Sequence, residues 1–363
     1  MSIRDVPFRH QVRHVHPDVR DPRTAPVRKQ IAQAFGPLVP PFALHLPSPD
    51  ALCAFWAVFR EPTCGRRVDR ATKEAVAASV SAINTCPYCV EVHATMLHAL
   101  GDRAPAAAIV SGDTGGIVDP DLRAVVTWAR ATRQPDATIL RNPPFLEAQA
   151  AEVIGVAVAF HYINRMVNIF AVPSPFPLGG SMIEPILRRA ALPLFRKLLA
   201  REVSPGASLG LLAAAPLPDD LGWARGDPVI GDAFGRAAAA FEDVGEQALP
   251  EAVRQLVSAR LGVWRGEEPG LSRGWVDSAI ETLPPPQKPL GRLALLAAFA
   301  SHQVDAEVVT AVRTRPGPAG DEALVAAAGW ASFAAARRIG SWLHTGKPAI
   351  SRLRQPRSCD RRA

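Results

Sequence analysis

Apolar residues recur every third or fourth position through most of this chain, and alternating Val/Ile/Thr segments of the kind that form half-buried strands are absent. A chain patterned this way buries its apolar stripes by packing helix on helix, so an all-α fold is expected. Val76, Val80 and Ile83 form one such stripe within DRATKEAVAASVSAIN. Asn84 is expected to close that helix, because Asn tolerates the left-handed backbone of a helix stop. Cys86-Pro87 then reads as the cap and first turn of a new helix running through VEVHATMLHAL to Gly101. Further helices are expected over about 120–133, 147–170, 182–202, 229–245, 250–264, 289–313 and 321–343.

The 363 residues are enough for two domains or one duplicated unit. RLALLAAFASHQVDAEVVTAV (292–312) lies over EAVAASVSAINTCPYCVEVHA (74–94) without a gap, and SFAAARRIGSWL (332–343) resembles AFHYINRMVNIF (159–170). The likeness is in apolar spacing, not identity. The expected organisation is a basic tail over 1–30, a first lobe over 31–172 and a linker over 173–210 with a proline-kinked helix. A second, degenerate lobe over 211–346 and a basic tail over 347–363 follow. In the overlay Arg292, Val304, Glu307 and Ala311 stand where the first lobe has Glu74, Cys86, Cys89 and His93, so the second copy has lost those groups.

The net charge of +7 sits at the ends: residues 1–30 hold seven Lys/Arg against three Asp/Glu, and residues 347–363 hold six against one. Between them 28 basic residues face 30 acidic ones, so no basic face for nucleic acid is expected on the core. The longest uninterrupted apolar runs, such as Val153 to Phe160, are under half a membrane span, and the N-terminus has no signal-peptide pattern. The basic amphipathic segment 182–202 is read as a connecting helix in preference to a membrane-surface one. A cytoplasmic protein without nucleic-acid or membrane partners is expected.

Five cysteines in a chain without a secretion signal do not make a disulfide framework. Cys53, in LCAFWAVF, reads as a small core residue, and Cys64 and Cys359 have no local partners. Cys86 and Cys89 differ. If Pro87 begins a helix, they fall at its N-cap and third position, where free amides favour a thiolate. His93 lies one turn beyond Cys89 on the same face and can take its proton directly or through one water. Glu74, from the preceding helix, can exchange protons with Cys86 or position His93. Zinc binding, with Glu74 as fourth ligand, and a structural disulfide remain open beside redox chemistry, which is favoured. A thioredoxin-type site is set aside because a helix precedes the pair where that fold needs a strand.

Glu74–x11–Cys86–x2–Cys89–x3–His93 resembles the signature of the AhpD-like alkylhydroperoxidases, within the carboxymuconolactone decarboxylase superfamily. AFHYINRMVNIF also resembles the helix that follows the active-site helices there; together the resemblance covers about residues 35–172. It implies an all-helical, usually homo-oligomeric thiol peroxidase acting on a peroxide substrate, with no cofactor and no resident metal. Cys89 would be the peroxidatic thiol, Cys86 the resolving one, and His93 and Glu74 the proton relay. An external dithiol, on a lipoyl-bearing or thioredoxin-like protein, would reduce the resulting disulfide. Some relatives carry a histidine between the cysteines, where this chain has Pro87-Tyr88. Tyr88 is read as packing in preference to hydrogen bonding. His161, Asn164 and Asn168 form a polar stripe that either walls the substrate pocket or fixes helix packing, with Arg165 structural and His302 a weak candidate. Decarboxylase or lactone chemistry has no evident need of the thiol pair. If the second lobe is a repeat, the chain is an internal pseudo-dimer whose assembly is smaller than that of single-lobe relatives.

Overall fold

The computed structural model describes residues 8–17, 21–176, 184–201 and 203–343. They form α1 (Ala25–Phe35), a one-turn α2 (Pro40–Ala43), α3 (Pro49–Cys64), α4 (Arg70–Ile83), α5 (Pro87–Ala99), α6 (Arg103–Ser111), α7 (Pro120–Ala131), a one-turn α8 (Thr138–Arg141) and α9 (Glu147–Phe170). Then follow α10 (Glu184–Leu199), α11 (Pro228–Ala248), α12 (Glu251–Val263), α13 (Gly274–Ala279), α14 (Lys288–Phe299), α15 (Ala306–Thr314) and α16 (Asp321–Gly340). Extended pairing among the described residues is confined to one isolated bridge between Val12 and Ala171, and the protein is all-α.

Short polar side chains start the helices where the sequence places them. Asp69 caps α4 through Thr72, Asp119 caps α7, Asp227 precedes Pro228 at the start of α11, and Asp305 caps α15. The single helix expected over 289–313 is broken by Ala300 and the turn 301–303 into α14 and α15. The break falls where the overlay puts the α4–α5 turn.

Helix α9 is the axis of the molecule. It reaches the length and apolar content of a membrane span, yet it is buried against α3, α4 and α16. Gly155 lets α9 close onto α3, since a Cβ there would come within 2.7 Å of Pro62 Cγ. The two halves are not separate bodies: α3 packs on α11, α9 on α16, and one continuous apolar core takes residues from all four. Tyr162 of α9 lies 5.1 Å, ring to ring, from Phe241 of α11, and Phe241 stacks on Phe333 of α16 at 4.3 Å. Each such buried ring contributes about 1.5–3 kcal/mol through the area it removes from water.

Part of the segment expected as an N-terminal tail is built into this core. Val15 and Val27 are buried and belong to it. Arg13 donates to the carbonyls of Asn168 and Ile169, and its own amide reaches Phe170 O at 2.8 Å. Basic residues here satisfy carbonyls that the end of α9 leaves without partners, so their charge is used locally. The tail expected over 347–363 and residues 177–183 of the linker lie outside the described residues.

Helix α10, with Pro193 inside it, lies along α5. Arg196 Nε donates to Ala99 O at 2.9 Å, and Arg188 lies 3.7 Å from the Glu91 carboxylate.

Candidate functional site

Helices α4, α5 and α9 bring together most of the residues singled out in the sequence. Pro87 occupies the first position of α5 and Cys86 its N-cap, as the pattern predicts, and the Cys86 amide donates to Ser81 O at 3.0 Å. The stop of α4 differs from expectation. Asn84 stays near the right-handed region (φ −92°, ψ 9°) and the left-handed residue is Thr85 (φ 52°). The Asn84 amide is committed to α9, which fixes its backbone and shifts the reversal onto a β-branched residue that tolerates it poorly.

Glu74 and His93 form the expected pair. His93 Nδ1 lies 2.6 Å from Glu74 Oε2, and Arg70 Nε donates to Glu74 Oε1 at 2.6 Å. A carboxylate only accepts, so Nδ1 carries the proton and Nε2 is left as the ring's other nitrogen. Burial works against ionisation of Glu74, but Arg70 and His93 outweigh it and hold the carboxyl at about 2. The ring of Phe160 meets His93 edge-on, with centroids 4.5 Å apart, and fixes its plane.

Cys86 and Cys89 are both free thiols, 1% and 3% exposed. The expectation of a thiolate at the helix start fails for Cys89: burial and its hydrogen bond with Cys86 push its pKa well above the ordinary thiol value, and a hydrogen bond from Asn164 only partly opposes them. The helix start acts through partial charges, whereas loss of solvent removes the larger stabilisation of the anion. Among the described contacts Cys89 is engaged by Cys86 and Asn164, and His93 by Glu74; no hydrogen bond joins the two directly.

The polar stripe of α9 divides in function. Asn84 Nδ2 donates to Asn164 Oδ1 at 3.0 Å and to His161 Nδ1 at 3.0 Å. Asn164 Nδ2 donates to Ser81 Oγ at 3.0 Å, and Ser81 passes its own proton to Ala77 O. With its carbonyl taken by Asn84 and one N–H by Ser81, the Asn164 amide turns its remaining N–H to Cys89. His161 instead donates from Nε2 to Thr132 Oγ1 at 2.9 Å, since that hydroxyl gives its proton to Ala129 O. Burial, Arg165 and Arg133 hold the His161 pKa well below its ordinary value, so it is a neutral packing group. Asn168 ties the turn, donating to Asn84 O at 3.0 Å and to Ser301 Oγ at 3.2 Å. Tyr88 is buried beside the two thiols; burial raises its phenol, and its OH lies 3.5 Å from Gln11 Oε1, at the limit of a hydrogen bond. It packs.

Sequence reading missed Arg70, Ser81 and Phe160, and read Asn84 only as a helix stop. Arg70 is visible as the i−4 neighbour of Glu74, and Ser81 as a polar residue within an apolar stripe; Phe160 carries no sequence signal of its own. In the second half Arg292 pairs with Asp277, and Glu307 and Ala311 line an open groove with it, so the chemistry of Glu74, Cys89 and His93 is not reproduced there. Among the described residues no three His, Cys, Asp or Glu side chains are grouped to hold a metal ion.

Residues 50–132, which include the whole Glu74–Cys86–Cys89–His93 constellation, match the carboxymuconolactone decarboxylase family. Over 336 residues the chain is 37% identical to an alkyl hydroperoxide reductase of Mycobacterium tuberculosis, a match that covers 93% of this chain and 95% of the relative. Likeness at that level runs through both halves, and it places the chain within the carboxymuconolactone decarboxylase family, among its AhpD-like members.

Proposed function

We propose that this protein is a thiol peroxidase that reduces alkyl hydroperoxides through Cys89 and Cys86. The likeness to an alkyl hydroperoxide reductase supports the reaction class. The observation that carries the assignment of residues is the Glu74–His93 pair one turn along α5 from a Cys89 that burial keeps protonated, since a resting thiol needs a base and the pair supplies one. Glu74 holds the Nδ1 proton, and His93 Nε2 takes the proton of Cys89 directly or through one water.

The Cys89 thiolate attacks the distal oxygen of the peroxide. The O–O bond breaks, Cys89 becomes a sulfenic acid, and the departing alkoxide takes the proton from His93 as the alcohol. The Asn164 N–H steadies the anionic sulfur while the proton is away. Cys86 then displaces water from the sulfenic acid to give the disulfide. Two thiols have then supplied the two electrons that convert one hydroperoxide to alcohol and water. An external dithiol, borne on a lipoyl-carrying or thioredoxin-like protein, restores both thiols by exchange. The matching break between α14 and α15 supports a second half that is a degenerate copy and serves as scaffold. We place the enzyme in the cytoplasm, as its N-terminal sequence suggests, and as a homo-oligomer on the family's pattern.

Burial of both thiols favours one other reading, a slow redox switch that oxidises once and does not cycle. Dithiol-dependent consumption of cumene hydroperoxide separates the two. Wild-type protein is expected to turn over many equivalents, with Cys89→Ser abolishing and Cys86→Ser stalling the cycle after one. Multiple turnover undiminished in both variants would sink the mechanism.

A further inference from the structure

Between the two halves, behind the α4–α5 turn, lies a cavity of about 200 Å³. Arg165 lines it from α9 and Arg133 from the residues after α7. Arg165 was read from sequence as structural, and two of its nitrogens are: Nε donates to Ala298 O at 3.0 Å and Nη1 to His161 O. Its Nη2 makes no hydrogen bond among the described residues, and no described carboxylate pairs with the guanidinium. The residue is only 5% exposed. Burial, then the neighbouring Arg133, bring its pKa down to about 9, which still leaves it cationic at neutral pH. Arg133, by contrast, has Glu268 at 3.0 Å. The cavity therefore carries one uncompensated positive charge on a group removed from water.

A buried guanidinium without a counter-ion is costly, and a cavity at its free edge is where the missing anion fits. A single uncompensated charge matches a monoanion. The planar fork of Arg suits a carboxylate, and Leu271 and Phe299 add apolar surface to the lining of the cavity. His302, also on the wall, has its pKa lowered by burial and adds no charge at neutral pH.

We propose that this cavity is a binding site for a short-chain monocarboxylate, held by Arg165 with its hydrocarbon tail toward Leu271 and Phe299. The site is separate from the thiols, though Asn84 is common to both: it borders the cavity and holds Asn164 against Cys89. The proposal does not rest on the peroxidase reading.

Calorimetric titration of the full chain at neutral pH with propionate, propionamide and inorganic phosphate tests it. Propionate is expected to bind saturably with a Kd on the order of 1 mM, and propionamide at least tenfold more weakly. Arg165→Gln is expected to weaken propionate binding at least tenfold. Should that variant fail to fold, His302→Trp, at an exposed position on the cavity wall without side-chain hydrogen bonds among the described residues, is expected to obstruct the cavity and to have the same effect. Equal binding of propionamide, tighter binding of phosphate, unchanged binding in folded His302→Trp, or no saturable binding of propionate below about 10 mM would each overturn it.

Discussion

Replacing Glu74 by Gln tests the electrostatics of the site without changing its shape. The carboxylate accepts from Arg70 Nε and His93 Nδ1, both at 2.6 Å, and a Gln amide can accept from only one of them while turning an N–H toward the other. Glu74 is fully buried, and its carboxyl drops from 4.5 to about 2 despite the opposing effect of burial, because Arg70 and His93 favour the anion. A depressed folded value means that the stabilisation is present above 4.5 and is lost as pH falls through about 2. The shift corresponds to about 3 kcal/mol at pH 7, still about 3 near pH 5, and about 1 near pH 3. Urea unfolding of wild type and Glu74→Gln at those three pH values is the assay. The stability gap is expected to start near 3 kcal/mol and to narrow by roughly two-thirds by pH 3. A gap that stays constant from pH 7 to 3 would show that the carboxylate is not held as an anion by these partners, and the argument for a fixed His93 tautomer would go with it. Peroxide turnover in the same variant should fall by about 10²-fold, the scale of a misaligned general base.

Asn164→Leu removes the N–H that reaches Cys89 and leaves Asn84 Nδ2 and Ser81 Oγ each short of a partner. It should cost about 1–3 kcal/mol and raise the pH needed for Cys89 alkylation by iodoacetamide; an unmoved alkylation profile would detach Asn164 from the thiol. Thr85→Asn keeps a polar side chain at a left-handed position that Asn accepts more readily, so the urea midpoint should rise, by about 0.5–1 kcal/mol; a fall would mean that Thr85 is held by more than its backbone. Lys73 and Glu152 form a buried pair at 2.7 Å, and Glu152 also accepts from the amides of Arg67 and Val68. Lys73→Met should destabilise by about 3–5 kcal/mol by leaving that carboxylate uncompensated, and adding Glu152→Gln should recover part of the loss; an additive double variant would refute the coupling.

The body of helix α4 and the start of α5 were legible from local chemistry alone: an apolar stripe, then Pro at a first helical position after Cys86. The overlay of 292–312 on 74–94 locates the break between α14 and α15, which a reading of helical periodicity through 289–313 passes over because Ala300 and Ser301 interrupt neither composition nor spacing. What periodicity cannot supply is which stripes meet. Nothing in the spacing says that α3 packs on α11 or that α9 lies between the halves, because an apolar face records only that it must be covered. The N-terminal basic residues were misjudged for a related reason. Arg13 looks like solvated charge in a Pro-rich segment, and only the end of α9, more than 150 positions away, supplies the carbonyls that order it.

The same limit explains the thiol. Helix position favours a Cys89 anion and burial disfavours it, and sequence reports the first while only the packed structure reports the second. That balance changes what Glu74 and His93 are for. A thiol already ionised at rest would need no base, and a carboxylate held beside the imidazole would be a structural detail. In the proposed cycle Cys89, protonated and closed from solvent at rest, has to lose its proton when the peroxide arrives, and the one imidazole on its face of α5 is oriented by a carboxylate that stays ionised down to about pH 2. A resting thiol is also a poor target for oxidants that reach it by chance, since the thiolate is the reactive form. On the proposed mechanism, burial thus restricts reaction to encounters that open the site and bring base, sulfur and peroxide into line together.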